Sequence, residues 1–142
     1  MATTDWENQE SESVEYLSAT DDDKLWALLA HLSGLLVLVA APANVIVPLI
    51  LFVLYKDKNR YVAFHALQSL YFQLAIIVVG VLAGIFTFVT LGVGVIVALP
   101  VILGLVVAGV IYPIIVGLHS HRGEMYEYAF VGELARKHMG LY

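Results

Sequence analysis

Charged residues are missing from two long stretches of this chain, and the apolar pattern within the first stretch predicts a pair of helices. Residues 25–55 would form about 46 Å of continuous helix, whereas a hydrocarbon core of about 30 Å needs only about 20 residues. Pro42 and Asn44 supply a break, because proline ends a helix and asparagine can cap the next one. We therefore predict helices near residues 22–40 and 45–56, joined by a tight turn.

The second uncharged stretch, residues 61–121, predicts two longer helices. The charged segment 56–60 precedes it and is expected to form a turn. Glycines within residues 90–94 indicate another turn. We predict helices near residues 61–89 and 95–118, followed by a short interfacial helix near residues 125–138.

The N-terminal region differs from the rest of the chain in its charge. Residues 1–24 contain eight acids and one base, whereas residues 25–142 contain six bases and four acids. Polar, highly charged segments rarely bury enough apolar surface to fold, so residues 1–20 are expected to form a disordered acidic tail. Thr20 and Asp23 have the spacing of a capping box, which places the start of the first helix here.

The composition places these helices in a membrane. The chain is 61% hydrophobic and 13% charged, against about 45–50% and about 25% in ordinary soluble domains. Without cysteine it can form neither disulfides nor thiolate metal sites. We predict an all-α integral membrane bundle of four helices, in which the first two form a short hairpin broken at proline. The acidic tail and the interfacial helix flank this bundle.

The positions of the basic residues predict the orientation of the bundle. With four crossings, the turns at residues 40–44 and 90–94 lie on one side and contain no lysine or arginine, while all seven bases lie on the other side. Because short cytoplasmic loops are enriched in bases, both termini are expected on the cytoplasmic side of a prokaryotic membrane. A re-entrant second helix stays open as an alternative. A cleavable signal peptide is not expected, because acids precede the apolar run where bases belong.

Prolines and glycines within the apolar segments predict local features of the helices. Proline lacks an amide hydrogen and clashes with the preceding turn, so helix breaks are expected at Pro42, Pro48, Pro100 and Pro113. Gly80 and Gly84 form a GxxxG pattern, which is typical of close helix packing in membranes.

Uncharged polar side chains gather at the basic end of the predicted helices. They are His31, Ser33, His65, Gln68, Ser69, Gln73 and His119. Because unpaired polar groups are costly in lipid, we expect this cluster to face the bundle interior, where it forms hydrogen bonds between helices. The alternative is a polar vestibule that opens to the cytoplasm. No catalytic, metal-binding or cofactor-binding residue is predicted, because histidines without cysteine or a nearby carboxylate make a poor metal site and a poor acid–base pair.

Three segments resemble the Tic-twenty-like family of small four-helix membrane proteins. They are "LWALLAHLSGLL" at 25–36, "VPLILFVLYKDKNRYVAFHALQSLYFQL" at 47–74 and "RGEMYEYAF" at 122–130. Prokaryotic members mostly carry a domain of unknown function, and the family is similar to a component of chloroplast protein import. The resemblance implies four membrane helices, and it implies protein translocation only by analogy.

Together these features predict a polytopic membrane protein without enzymatic activity, acting as an accessory or scaffolding subunit of a larger membrane assembly. The expected partners are the lipid bilayer and other membrane subunits, or further copies of this chain. Nucleic acid is not an expected partner, because no basic stripe with interleaved aromatic residues is present. The alternative is a transport or protein-translocation component that uses the polar vestibule, and an intramembrane enzyme ranks last.

Overall fold

The computed structural model describes residues 18–141, and every regular element in that range is helical. The elements are α1 (Asp21–Leu32), a 3-10 helix (Ser33–Leu38), α2 (Ala43–Tyr55), α3 (Arg60–Val89), α4 (Val95–His121) and α5 (Val131–His138). No strand occurs within this range, which confirms the all-α prediction. Most of the expected acidic tail, residues 1–17, lies outside the described residues, as does residue 142.

The first helix begins where the capping pattern predicts. The amide of Asp23 donates to the Thr20 hydroxyl at 3.2 Å, and the amide of Thr20 donates to the Asp23 carboxylate at 2.9 Å. The α-helix ends at Leu32, well before its predicted end, and continues as the tighter 3-10 helix. At this junction the Ser33 hydroxyl donates to the Ala30 carbonyl at 2.7 Å. Such a bond gives a last-turn carbonyl a partner other than a helical amide.

The turn between α1 and α2 corrects the expected role of Asn44. Pro42 occupies the position before α2, and no side chain caps this helix. Asn44 is instead buried and bonds to a side chain of α3. α2 contains 13 residues, which amount to about 20 Å of helix, less than the thickness of a hydrocarbon core.

Three of the four prolines do not interrupt their helices. Pro42 separates the first two helices as predicted, whereas Pro48 lies inside α2, and Pro100 and Pro113 lie inside α4. The prediction of a break at these three positions is therefore wrong. Proline frees one carbonyl of the preceding turn, but neighbouring helices and small backbone adjustments make this tolerable in apolar helices.

α3 and α4 are the two helices in the described range that are long and apolar enough to cross a membrane, with 30 and 27 residues. A tight turn joins them, in which the Gly94 amide donates to the Thr90 hydroxyl at 2.8 Å. Gly92 has a φ of 90°, a conformation that glycine adopts far more readily than residues with a β-carbon. The two helices therefore form one long hairpin.

The shorter hairpin of α1 and α2 covers only one half of this long hairpin. Residues 61–70 of α3 are all buried, whereas none of residues 74–89 is. No atom lies within 4 Å of the positions that β-carbons would take at Gly80 and Gly84. The GxxxG pattern therefore packs against nothing within the described chain, and half of the long hairpin keeps an uncovered apolar surface.

The structure does not confirm the predicted integral membrane bundle of four helices. Two helices have the length and composition of a membrane span. α1 and α2 have 12 and 13 residues, about 18–20 Å each, and they pack beside one half of the longer pair. The difference arises because the uncharged run of residues 25–55 is too short for two full crossings.

The C-terminal region is less helical than predicted. Residues 124–128 have no regular structure, and the helix expected from residue 125 begins only at Val131. Phe130, just before it, has a φ of 67°, which a continuous right-handed helix does not allow. α5 packs Ala135 against Phe64 of α3, so this helix closes the charged end of the molecule.

The contact between α1 and α4 makes Gly117, one of three glycines in α4, sensitive to substitution. A β-carbon at Gly117 would lie 3.0 Å from Leu28 and 3.3 Å from the β-carbon of His31, whereas nothing lies within 4 Å at Gly104. We expect Gly117→Leu to lower the free energy of unfolding by about 2–3 kcal/mol, because overpacking forces the helices apart. Gly104→Leu should be neutral or slightly stabilising, since leucine is the better helix former. Thermal unfolding in mild detergent measures both variants, and equal stabilities would contradict this packing.

Candidate functional site: a buried polar network

The predicted polar residues of α1 and α3 meet in the interior near the charged end of the molecule. His31 lies at the centre and has no exposed surface. Its Nε2 lies 3.0 Å from Nδ1 of His65, and its Nδ1 lies 3.1 Å from the hydroxyl oxygen of Tyr128. Tyr128 belongs to the non-helical segment after α4, so three separate parts of the chain meet at His31.

One assignment of donors among His31, His65 and Tyr128 leaves the fewest of their polar groups unpaired. If the Tyr128 hydroxyl donates to Nδ1 of His31, the His31 proton sits on Nε2 and is donated to Nδ1 of His65. His65 then carries its proton on Nε2, which has no hydrogen-bond partner among the described residues. The ring of His65 packs edge-on to Tyr61 with their centroids 4.6 Å apart, and aromatic rings accept weak hydrogen bonds.

Gln68 holds the segment that carries Tyr128. Its Nε2 donates to the carbonyl of Tyr126 at 3.1 Å, and its Oε1 accepts from the amide of Tyr128 at 3.0 Å. The Tyr128 ring stacks on Phe72 with centroids 4.2 Å apart. Burial raises the pKa of Tyr128, so its hydroxyl stays protonated and can donate. α3 therefore positions both the backbone and the ring of Tyr128.

Two serines converge on the carbonyl of Ala30 near the end of α1. The hydroxyls of Ser33 and Ser69 each donate to this oxygen at 2.7 Å. Carbonyls in the last turn of a helix lack amide donors of their own. The bond from Ser69 therefore ties the end of α1 to α3.

A further pair lies deeper along the helices. The side-chain amide of Asn44 donates to Oε1 of Gln73 at 3.3 Å, and Gln73 follows Arg60 by 13 residues, about 20 Å along α3. A β-carbon at Gly34 would overlap the Gln73 amide, so glycine allows the 3-10 helix to pass close to this pair. The contact attaches the tip of the short hairpin to the middle of α3.

His119 does not join this network. It lies on the last turn of α4, where it bonds to the side chain of Glu124 and stacks on Tyr126 with centroids 4.4 Å apart.

Two members of the network, Tyr128 and Asn44, were not predicted from the sequence. Tyr128 lies in the segment predicted as an interfacial helix, where a tyrosine is expected at the membrane surface and not in the interior. Asn44 was interpreted as a helix cap because it follows Pro42, and asparagine caps helices far more often than it forms hydrogen bonds between two helices. Neither position carried a local signal of its buried role.

The network is sealed from solvent. Its members expose at most 5% of their surface: His31, Ser33, Asn44, His65, Gln68, Ser69, Gln73 and Tyr128. This closed arrangement favours hydrogen bonding between helices over an open vestibule. Within residues 18–141, no group of three histidine or acidic side chains is placed to hold a metal ion.

The two long apolar helices and the uncharged network beside them support a helical membrane protein. Residues 22–135 match the model of the MamF/MmsF family, the magnetosome magnetite crystal formation protein family, and the chain belongs to this family. The matched region includes every member of the network. No curated protein and no solved structure matches the chain.

This match corrects the resemblance to the Tic-twenty-like family, which is wrong. The segments that suggested it, at residues 25–36 and 47–74, lie inside the region matched by the magnetosome family. Apolar helices that flank a short basic turn are common in small membrane proteins, so these segments did not discriminate between families. The expectation of a role in protein import is withdrawn with the resemblance.

Proposed function

We propose that this chain is a multi-pass, non-enzymatic membrane subunit of the magnetosome that supports magnetite crystal formation through other membrane proteins. The family match over residues 22–135 carries the proposal. In this proposal α3 and α4 cross the bilayer, and the hairpin of α1 and α2 enters beside them and returns to the same side. The uncovered apolar half of the long hairpin is the surface available to lipid and to partner subunits.

The depth of the pair formed by Asn44 and Gln73 supports a re-entrant hairpin. It lies about 20 Å along α3 from the charged residue Arg60, and a hydrocarbon core is about 30 Å thick. The tip of the short hairpin would therefore end inside the bilayer. Irregular backbone at such depth is tolerated where it is buried against protein, and Asn44 is buried.

The distribution of charge supports both termini on the cytoplasmic side. All seven bases lie outside residues 25–55 and 61–121, and bases concentrate in cytoplasmic segments. In this orientation the turn at residues 90–94 faces the magnetosome lumen and brings no carboxylate to the crystal. The effect of the chain on crystal growth would therefore pass through partner proteins that do face the mineral.

Labelling of single cysteines on isolated magnetosomes tests the orientation. The outer face of an intact magnetosome is its cytoplasmic face, so a membrane-impermeant maleimide should modify Lys58→Cys and not Gly92→Cys. The chain should also resist extraction with alkaline carbonate, which releases peripheral proteins. Labelling only at position 92 would reverse the orientation, and full release by carbonate would refute membrane insertion.

Deletion of the chain in a magnetite-forming cell tests the role itself. We expect altered size or number of crystals in electron micrographs, with restoration when the intact chain is supplied again. The purified chain added to a solution of iron salts should leave crystal growth unchanged, because the proposal requires partner proteins. Unchanged crystals in the deletion strain would refute the proposal.

A further inference from the structure

A cleft beside the turn between α2 and α3 combines basic and apolar side chains. Its volume is about 510 Å³, within the range of ligand-binding clefts. Its lining includes Phe52, Lys56, Lys58, Asn59, His138 and Met139. We call this feature the basic cleft. The residues come from the α2–α3 region and from the end of α5, so the fold of the whole chain is needed to form it.

The basic cleft is positively charged. Lys56, Lys58 and Arg60 are opposed there by one acid, Asp57. The carboxylate of Asp57 lies 4.0 Å from the Lys56 ammonium and its side chain is 84% exposed, so water screens this ion pair strongly. The guanidinium of Arg60 donates to the carbonyl of Met139 at 3.3 Å and thereby holds one wall of the cleft in place.

His138 adds a hydrogen-bond donor to the same cleft. Its Nδ1 lies 3.0 Å from the hydroxyl of Tyr71, and its ring lies edge-on to Phe52 with centroids 6.4 Å apart. When the hydroxyl of Tyr71 donates to Nδ1, the ring keeps its proton on Nε2, and this N–H can donate a hydrogen bond to an anionic oxygen.

The basic cleft lies where the apolar surface of α2 ends. Ile50 and Val53 of α2 are at least half exposed, and the bases begin at Lys56, one turn further on. Nearby, Trp26 and Tyr55 pair with ring centroids 6.2 Å apart. Aromatic residues of this kind concentrate at the boundary between lipid and water. The position corresponds to the depth of lipid headgroups.

We propose that the basic cleft binds the phosphate of an anionic phospholipid. The ammonium groups of Lys56 and Lys58 contact the phosphate oxygens, and the acyl chains lie along the exposed apolar face of α2. Basic clefts on the cytoplasmic side of membrane helices suit such headgroups because phosphate and ammonium attract each other at the interface. The inference rests on the membrane insertion proposed above.

Native mass spectrometry of the purified chain in mild detergent, titrated with phosphatidylglycerol, tests this proposal. The variant Lys56→Gln/Lys58→Gln should bind this lipid roughly 30-fold more weakly, since each basic residue near an anionic surface contributes roughly a factor of five. The control variant Lys24→Gln/Arg122→Gln removes the same charge outside the cleft and should bind as the unmodified chain does. Zwitterionic phosphatidylcholine should bind weakly to all three proteins.

Three results would overturn the lipid assignment. Unchanged binding by the cleft variant would exclude its lysines, and equal weakening in both double variants would mean that overall charge governs binding. Displacement of the lipid by inorganic phosphate at equal concentration would make the cleft a site for soluble phosphate. These results are distinguishable from failure of the proposed function, because carbonate extraction reports membrane insertion whatever the cleft binds. Lys56 and Lys58 are exposed, so the cleft variant should fold, and thermal unfolding verifies this.

Discussion

Replacing His31 with leucine (His31→Leu) is expected to lower the free energy of unfolding by about 2–6 kcal/mol. The substitution removes the partner of Nδ1 of His65 and the partner of the Tyr128 hydroxyl. Both groups stay buried, and each unpaired buried polar group costs about 1–3 kcal/mol. Thermal unfolding in mild detergent, followed by tryptophan fluorescence, measures the loss.

The control for this prediction is the same exchange at His119. That histidine lies outside the network and pairs with Glu124 at the surface, where single ion pairs contribute at most about 1 kcal/mol. His119→Leu should therefore cost less than about 1 kcal/mol. If the two variants lost similar stability, the central position of His31 in the network would be refuted.

Replacing Gln68 with leucine (Gln68→Leu) is expected to release residues 124–130 from α3. The variant loses the donor to the Tyr126 carbonyl and the acceptor for the Tyr128 amide at once. At about 1 kcal/mol for each bond, the open state of this segment should gain roughly 30-fold in population. Limited digestion with chymotrypsin, which cleaves after aromatic residues, should accelerate at Tyr126 by a similar factor, because cleavage tracks the open population.

Gln73→Leu provides the matched control, since it makes the same exchange at another buried position of α3. Gln73 bonds to Asn44 and not to the C-terminal segment. This variant should loosen the tip of α2 while leaving digestion at Tyr126 at the rate of the unmodified chain. Equal acceleration in both variants would mean that general loosening of the protein, and not the bonds of Gln68, controls access to this segment.

The buried network and the uncovered apolar half divide the molecule into two regions. At the charged end, hydrogen bonds centred on His31 and Gln68 join the short helices to the segment after α4. At the other end, none of residues 74–89 of α3 is buried within the described part of the chain. In the proposed accessory subunit, the hydrogen-bonded end would keep the fold of the short helices while the exposed apolar end contacts neighbours.

Several local features were predictable because they depend on neighbouring residues. The capping pair of Thr20 and Asp23 and the break at Pro42 are formed as predicted. His65 and Gln68 were recognised as inward-facing, because a polar stripe near the end of an apolar helix must find partners. The bonds that these side chains make connect residues far apart in the sequence, and only the folded chain reveals them.

Other predictions failed because tertiary contacts override local preference. Pro48 and Pro113 were expected to break helices, yet both are buried within continuous ones. The helix predicted from residue 125 begins only at Val131, and Gln68 instead bonds to the backbone at Tyr126 and Tyr128. These outcomes depend on what packs beside each segment, which periodicity does not encode.

The sequence by itself indicated that the helices suit a lipid bilayer, that the fold is all-helical and that the basic residues lie at one end. These features follow from composition and from the spacing of charges. Only the tertiary structure decided that the first hairpin packs beside one half of the second, that Tyr128 completes the buried network and that α5 closes the basic cleft. The reason is physical: hydrophobicity and charge act residue by residue, whereas burial and hydrogen bonding are properties of segments brought together by folding.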